Sequence, residues 1–498
     1  MPIKKFMYLL FFCGMVLFAS VLASAGNSIE DHIENASNIK TVSFDATGQR
    51  FEPQQTIIPG VPSRHTSNYH LETQWALEQG RINENWKLTT VYPFPNALEF
   101  QAQYDKEGGT LNGRDGFRPN TTGRMTSARV GAVTKDLWLM NPFLLMANAN
   151  SIEALISGLD THNTYTFNAF DTQWTVTQDP ETGFPVELQT TEKDHLEGTL
   201  INAVSYSDWR MVDQTPFPFR VEQTVNDKLV KREVRADITL DETLAPISWG
   251  EDGAPKIDEE QLQRGWDMSH FFLRRAMLGG PSDGDEAAVA KIKNVEDGIY
   301  QIVGSSHHTV VIEGSDGLAL VDAAWYTRRS EAVLKAIKDK WGSKKPIKYV
   351  ILTHHHIDHI GGLLSFAELD TTIVTGRKTF PYITAALAKT QQMPPKMRPV
   401  DKRLTITGIG RDIELFDVPN SHANDMIAIY VPETKTVINS DLYSPGRPAQ
   451  HPVWSAEFAS AVQFHALDVK NHLGTHGNGT EPHENLSLIH ISEPTRPY

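Results

Sequence analysis

The stretch that most constrains this chain runs from Tyr349 to Gly362, Tyr-Val-Ile-Leu-Thr-His-His-His-Ile-Asp-His-Ile-Gly-Gly. Tyr349 to Leu352 is an apolar run with the length of a short buried strand. It ends at Thr353, and four potential metal ligands, His354, His356, Asp358 and His359, then follow within six residues. The apolar and small segment Ile360 to Leu369 reads as a helix. The ligands therefore fall on a strand-to-helix turn, where side chains of an α/β sheet project beyond the strand's carboxyl end. A histidine-rich surface loop is the plainer reading of such a tract. Imidazoles crowded around an acid favour a bound cation over it.

The surroundings of the turn read as a layered α/β unit. Ile299 to Val303, Thr309 to Glu313 and Leu318 to Asp322 have the pattern of successive strands, with a turn at Gly314-Ser315-Asp316-Gly317. Tyr326 to Trp341 is an amphipathic helix with Val333, Leu334 and Ile337 on one face, and Ile347 to Leu352 returns as the strand that feeds the histidine turn. Ile413 to Val418, Met426 to Val431 and Thr436 to Ser440 read as later strands. Three more potential ligands, His422, Asp441 and His476, lie just beyond strands or in a glycine-flanked turn. Each alone is more simply a loop histidine, a strand-end aspartate or a turn histidine. Their shared position is what suggests convergence.

The motif His354-x-His356-x-Asp358-His359, followed in order by His422, Asp441 and His476, resembles the metallo-β-lactamase superfamily over about Gly298 to Gly477. The resemblance implies an α/β fold, an αββα sandwich with a two-metal site, usually zinc, at one edge. By position, His354, His356 and His422 would hold one metal, Asp358, His359 and His476 the other, and Asp441 would bridge both. Asp441-Leu442-Tyr443-Ser444-Pro445-Gly446 looks like the superfamily's broad group of uncharacterised hydrolases. His359 stands where the best-known class of zinc β-lactamases has arginine, which disfavours that class. The donor set supports the chemistry independently: neutral imidazoles and carboxylates suit two zinc ions, with iron or manganese as alternatives. A metal-bound water ionises near neutral pH and supplies a hydroxide nucleophile, which Asp358 and Asp441 are expected to orient and deprotonate as the catalytic residues. Gly361 and Gly362 would let backbone approach the site, or simply pack the start of a helix. His307 and His308 either face the cleft or are ordinary strand histidines.

At 498 residues the chain is long enough for two domains. Residues 26–257 read as a β-rich first domain, 258–296 as a helix and linker, and 297–485 as the second domain. In the first, Trp174, Val176, the turn Asp179 to Gly183, then Val186 and Leu188 make one hairpin. Phe217 to Val221, the turn at Asn226-Asp227 and Val230 to Leu240 make another. Their strict alternation means one buried face and one wet face or cavity wall. Pro142 to Ser157 and Asp258 to Leu278 read as helices, and Gly279 to Glu286 as a flexible linker. Ser207 to Arg210 and Pro216 to Arg220 loosely resemble the β-rich carriers that shuttle lipoproteins across the periplasm. That implies an apolar concavity for an acyl chain; an ordinary filled core is the alternative.

Lys4, Lys5, the apolar run Phe6 to Leu22 and Ala23-Ser24-Ala25 read as a signal peptide over residues 1–25, and so as a periplasmic or secreted protein. An uncleaved anchor, with membrane contact, is the alternative. Cys13 is the chain's one cysteine, which excludes an intramolecular disulfide and a cysteine-ligated zinc site. Residues 486–498 look like the translation of a sequencing adapter, so His490 is given no role and the natural chain is expected to continue past Asn485. A net charge of −15 argues against nucleic acid as a partner. The sequence thus points to an exported binuclear-metal hydrolase of an ester, thioester, lactone or amide, with a small-molecule or lipid-like substrate. A mononuclear iron oxygenase of the same fold and a non-enzymatic carrier of a hydrophobic ligand are the alternatives. Thr379 to Arg411, with Phe380, Tyr382, Met393 and Met397, is a candidate apolar lid, with a packing role as the equal alternative.

Overall fold

The computed structural model describes residues 28–114, 123–159, 162–244, 246–247, 249, 256–276, 289–304, 306–367, 369–390, 395–447 and 450–486. The expected leader, the Gly279 to Glu286 linker and everything after Leu486 lie outside these residues.

The first domain is one antiparallel sheet of twelve strands built from two meanders. Strands from Thr41–Glu52 to Gly123–Arg124 form the first, and strands from Thr164–Ala169 to Lys228–Leu240 the second. They are sewn together where Thr41–Glu52 pairs with Lys228–Leu240. Both hairpins expected from the alternation are present, as Thr172–Gln178 with Pro185–Asp194 and Thr215–Val225 with Lys228–Leu240. The connection between the meanders, helices Ser127–Trp138, Pro142–Met146 and Ile152–Leu159, packs on the buried face of the sheet. Phe143, Leu144, Leu145 and Met146 are buried there against Trp75, Trp174 and Phe217. A filled core, not an open concavity, is therefore what lies under these helices.

Three helices differ from the sequence expectation. Pro142 to Ser157 is not continuous: it breaks after Met146, and Asn150 N–H donates to the Asn168 carbonyl instead of continuing the helix. Asn and Ser side chains compete for backbone groups, which makes such a run a poor helix interior. Asp258 to Leu278 breaks at Met268 into Glu259–Asp267 and Ser269–Ala276. The first piece crosses Ser127–Trp138 backbone to backbone, because a Cβ on Gly131 or Gly265 would strike the carbonyl of Leu262 or Ala128. Ile360 to Leu369 is replaced by two short helices, Ile357–Ile360 and Leu364–Ala367. Gly361 and Gly362 press on Trp325, Tyr326 and Ser330 at the start of helix Thr327–Trp341, so these glycines serve packing and not access to the site.

The second domain is an αββα sandwich. One sheet has seven strands in the order of the chain from Lys291–Glu296 to Lys396–Val400, antiparallel for the first four and parallel from Leu318–Val321 onward. The other has six strands from Arg403–Ile406 to Thr480–Pro482. Ile299, Val310, Ile351 and Val374 of the first sheet meet Ile413, Leu415, Ile429 and Ile438 of the second in one core between them. Val333 and Ile337 cover the outer face of the first sheet, and Trp454, Phe458 and Val462 of helix Pro452–Phe464 the outer face of the second. Of the candidate lid, Met393 and Pro394 lie outside the described residues, and helix Phe380–Thr390 with Met397 takes the packing role. Ile383, Ala386 and Leu387 of helix Phe380–Thr390 are buried against the first sheet's outer core, with Tyr382 and Met397 packed beside them.

Candidate metal centre

The strand Ile347–Ile351 is parallel to both neighbours, so its carboxyl end opens at the edge of the sandwich. The histidine turn leaves from there and is held by backbone bonds: Ala323 N–H donates to His359 O at 2.8 Å and Trp325 N–H to Asp358 O at 3.0 Å. His422 follows strand Ile413–Asp417, Asp441 follows Thr436–Asn439, and His476 follows Asn471–Gly474. All seven residues singled out from the sequence meet at this one edge.

They divide into two sets around Asp441. Ligand atoms of His354, His356, His422 and Asp441 lie within 4.8 Å of one another. Asp441 Oδ2 is 3.2 Å from His354 Nε2 and 2.8 Å from His422 Nε2. Its other oxygen, Oδ1, is 3.2 Å from His359 Nε2 and also contacts His476 Nε2. One carboxylate thus offers one oxygen to each set of imidazoles. His354 Nε2, His356 Nδ1 and His422 Nε2 are buried without a hydrogen bond of proper angle. Buried nitrogens without partners are costly unless something else satisfies them. Their convergence fits a metal ion held by two Nε2 atoms, one Nδ1 atom and a carboxylate oxygen.

The second set contains a residue the sequence left open. His307 packs against His476 with ring centroids 4.0 Å apart, and His307, His359 and His476 offer nitrogens within 4.8 Å of one another. Asp358 is 3.9 Å from His359 Nε2 through Oδ2, and that same oxygen accepts from His307 Nε2 at 3.0 Å. His308 points elsewhere, donating from Nε2 to the Gly477 carbonyl.

Electrostatics match the assignment. Burial, and then the neighbouring His359 imidazole, pushes His354 down to about 4; burial and the His354 imidazole push His356 down as well. Both rings are therefore neutral near pH 7, the form that ligates metal. Burial works against ionisation of Asp441, but the imidazoles of His359, His476 and His422 outweigh it and hold the carboxyl well below its ordinary range.

Several residues that orient the ligands carry no local sequence signal. Asp322 is fully buried, accepts Thr353 N–H at 2.8 Å and Thr353 Oγ at 3.0 Å, and accepts His359 Nδ1–H at 2.8 Å. His354 Nδ1 lies 3.1 Å from the same Thr353 hydroxyl. Asp322 thereby turns the Nε2 atoms of both His354 and His359 inward. Asp322→Ala is expected to weaken metal binding by about 10- to 100-fold, measured by competition with a chromogenic chelator. Unchanged affinity would remove Asp322 from this role.

The first domain also reaches the centre. Thr56 O accepts the Nε2–H of His356 at 2.9 Å and of His355 at 2.8 Å, which leaves His356 Nδ1 facing inward. Gln55 Nε2 donates to Asp358 Oδ1 at 2.6 Å. Tyr92 OH lies 3.2 Å from Gln55 Oε1 and 3.4 Å from His422 Nδ1, and Arg64 donates to the His422 carbonyl at 3.2 Å. Gln55, Thr56, Arg64 and Tyr92 are ordinary polar residues three hundred positions away in sequence, and nothing near them marks the role.

A two-sheet sandwich with this motif at the end of a parallel strand defines a metal-binding α/β domain. A profile of the metallo-beta-lactamase superfamily matches residues 302–453. The chain is 24% identical over 166 residues to the 2,4-dinitroanisole O-demethylase subunit alpha of Nocardioides sp. (strain JS1661), covering 33% of this chain and 48% of that protein. It is 34% identical over 155 residues to a linear primary-alkylsulfatase of Pseudomonas sp., covering 28% of this chain and 22% of that one. A metallo-beta-lactamase structure from Pontibacter korlensis aligns with 42% of this chain and 100% of its own, at 18% identity and a TM-score of 0.34. The chain thus spans less than half the length of these two curated relatives. The likeness to the metallo-beta-lactamase superfamily thus falls within the second domain, over residues 302–453.

Proposed function

We propose that the protein is a binuclear-metal hydrolase of an ester, thioester, lactone or amide, with zinc as the first candidate metal and with export inferred from its leader sequence alone. The observation that carries this reading is the division of Asp441 between two imidazole sets, one oxygen to each. When bound, a metal pair would lower the pKa of water and polarise the group to be cleaved. The protein's own part is positional. Gln55 at Oδ1 and His307 at Oδ2 hold Asp358 in one orientation, so that it can take a proton from the attacking water. The His307 ring, which holds Asp358 through Nε2, also lines the adjoining cavity. Tyr92 and Trp454 pack their rings against His422 and form part of the wall of the cavity beside it.

Protein with all seven ligands is expected to bind close to two metal ions per chain and to lose hydrolysis on treatment with a chelator, recovering it when zinc is returned. Metal analysis by mass spectrometry and a panel of esters, lactones and amides make the test. Less than one tight metal with no turnover would sink the reading, and one iron per chain with oxygen consumption would favour the oxygenase instead.

A further inference from the structure

A cavity of about 500 Å³ lies between the domains and opens on the metal centre at Asp358, Asp441, His422 and His476. Its size is that of a site for a whole small molecule. The first domain builds the opposite wall, with Phe51, Leu88, Val230 and Leu273 presenting apolar surface beside Arg50, Lys231 and Arg274. Two of these cations are accounted for: Lys231 pairs with Asp136 at 2.8 Å and Arg274 with Glu52 at 3.2 Å.

Arg50 is different. Its guanidinium lies over the rings of Trp86 and Tyr69, at 4.7 and 5.5 Å from their centroids. Its one protein hydrogen bond among the described residues is a long one, from Nη1 to the Leu273 carbonyl at 3.4 Å, and its Nε is buried with no partner. The acids around it are engaged elsewhere. Asp136 is taken by Lys231, Glu233 by Arg235 at 2.7 Å and Tyr69 at 2.7 Å, and Glu84 by Trp86 Nε1 at 2.9 Å. A buried guanidinium short of acceptors is destabilising unless a ligand supplies them. Arginine forks match planar oxyanions.

We infer that the cavity takes an amphiphilic substrate: the bond to be hydrolysed at the metal centre, an apolar chain along Phe51, Leu88, Val230 and Leu273, and a distal anionic oxygen group on Arg50. The inference rests on the hydrolase reading for its reacting end. Water adds to the acyl carbon, the bond to the leaving oxygen breaks, and the products are a carboxylate, an alcohol and a proton. The shared chemistry of the distal group is an oxyanion, whether carboxylate, sulfonate or phosphate.

A matched pair of esters tests it: monomethyl octanedioate, with a charged tail, and methyl octanoate, without one. The metal-loaded full chain is expected to favour the charged tail by about tenfold or more in kcat/KM. Arg50→Met is expected to erase that preference while leaving methyl octanoate turnover, metal content and melting temperature close to the parent's, and Arg50→Lys to retain part of it. Sulfonate- and phosphate-tailed analogues rank the anions. Calorimetric binding of octanedioate, which has no bond to cleave, separates the two readings. Equal turnover of both esters, or octanedioate binding unchanged by Arg50→Met, overturns the anion site and leaves the hydrolase standing. If neither ester is cleaved but octanedioate binds in an Arg50-dependent way, the anion site stands and the hydrolase reading falls.

Discussion

Replacing Asp441 with alanine is expected to reduce bound metal from about two ions per chain to at most one, and to lower kcat/KM by about 10³-fold, or about 4 kcal/mol of transition-state stabilisation. The size of the effect follows from position. Asp441 follows directly after strand Thr436–Asn439 and Ser440, and its two oxygens face different histidine sets. Its removal deprives both sets of an anionic oxygen, leaving the His354 and His422 set with no carboxylate of its own and His359 with only Asp322 and Asp358. Asp441→Asn keeps the shape and loses the charge, so it separates the two contributions. Inductively coupled plasma analysis alongside steady-state kinetics reads the result; an alanine variant that still carries two metals would contradict the bridging assignment.

Lys135→Met is expected to destabilise the first domain by about 3–5 kcal/mol, the range for stranding one member of a buried ion pair. Lys135 Nζ is 2.9 Å from Glu192 Oε1, with both side chains at most 1% exposed. Glu192 also accepts Asn202 at 2.7 Å, Ser269 at 2.7 Å and the ring of His270 at 2.6 Å, and His270 reaches Asp194 at 3.2 Å on its other side. The network joins helix Ser127–Trp138, two strands and helix Ser269–Ala276, so its loss loosens the wall of the cavity. Its pH dependence has two signs. Burial resists ionisation of Glu192, but Lys135 and His270 outweigh it and lower the pKa; burial likewise resists at Asp194, and His270 outweighs it. Depressed carboxylates contribute stability above their ordinary values of 4.5 and 3.8, and that contribution is lost as pH falls through the folded values. Burial opposes charge on His270 too, but Asp194 and Glu192 raise it above 6.5; its contribution is full below 6.5 and is lost as pH rises through the folded value. The parent protein should therefore melt highest between about pH 4.5 and 6.5 as far as this network decides, and Lys135→Met should change the acid limb most. A variant with the parent's melting temperature across that range would show that the network carries no net stability.

The ligand turn was legible because its information is local. Four donors on a strand-to-helix turn, His354 to His359, report a metal by type and spacing alone. His422, Asp441 and His476 were legible by a weaker signal, their placement after strands. The hairpins Thr172–Asp194 and Thr215–Leu240 could be found because period-two alternation is written into adjacent residues. The breaks at Met268 and between Met146 and Ile152 could not, since contacts from distant segments override a helical pattern. The apolar content of Phe380 to Met397 suggested a lid for the same reason: apolarity says that a segment is covered and leaves open by what.

By itself the sequence determined seven donors, their order along the chain and a layered α/β unit around them, because periodicity and ligand spacing are properties of neighbouring residues; the sandwich was implied by the family resemblance. Only the tertiary structure decided how Asp441 is shared, that Asp322 and Thr56 choose which imidazole nitrogens face inward, and that His307 joins the second set. It also decided that the wall opposite the metal centre comes from the first domain, where Arg50 has no carboxylate partner among the described residues. Those outcomes depend on hydrogen bonds and burial between residues tens to hundreds of positions apart, which no local pattern encodes.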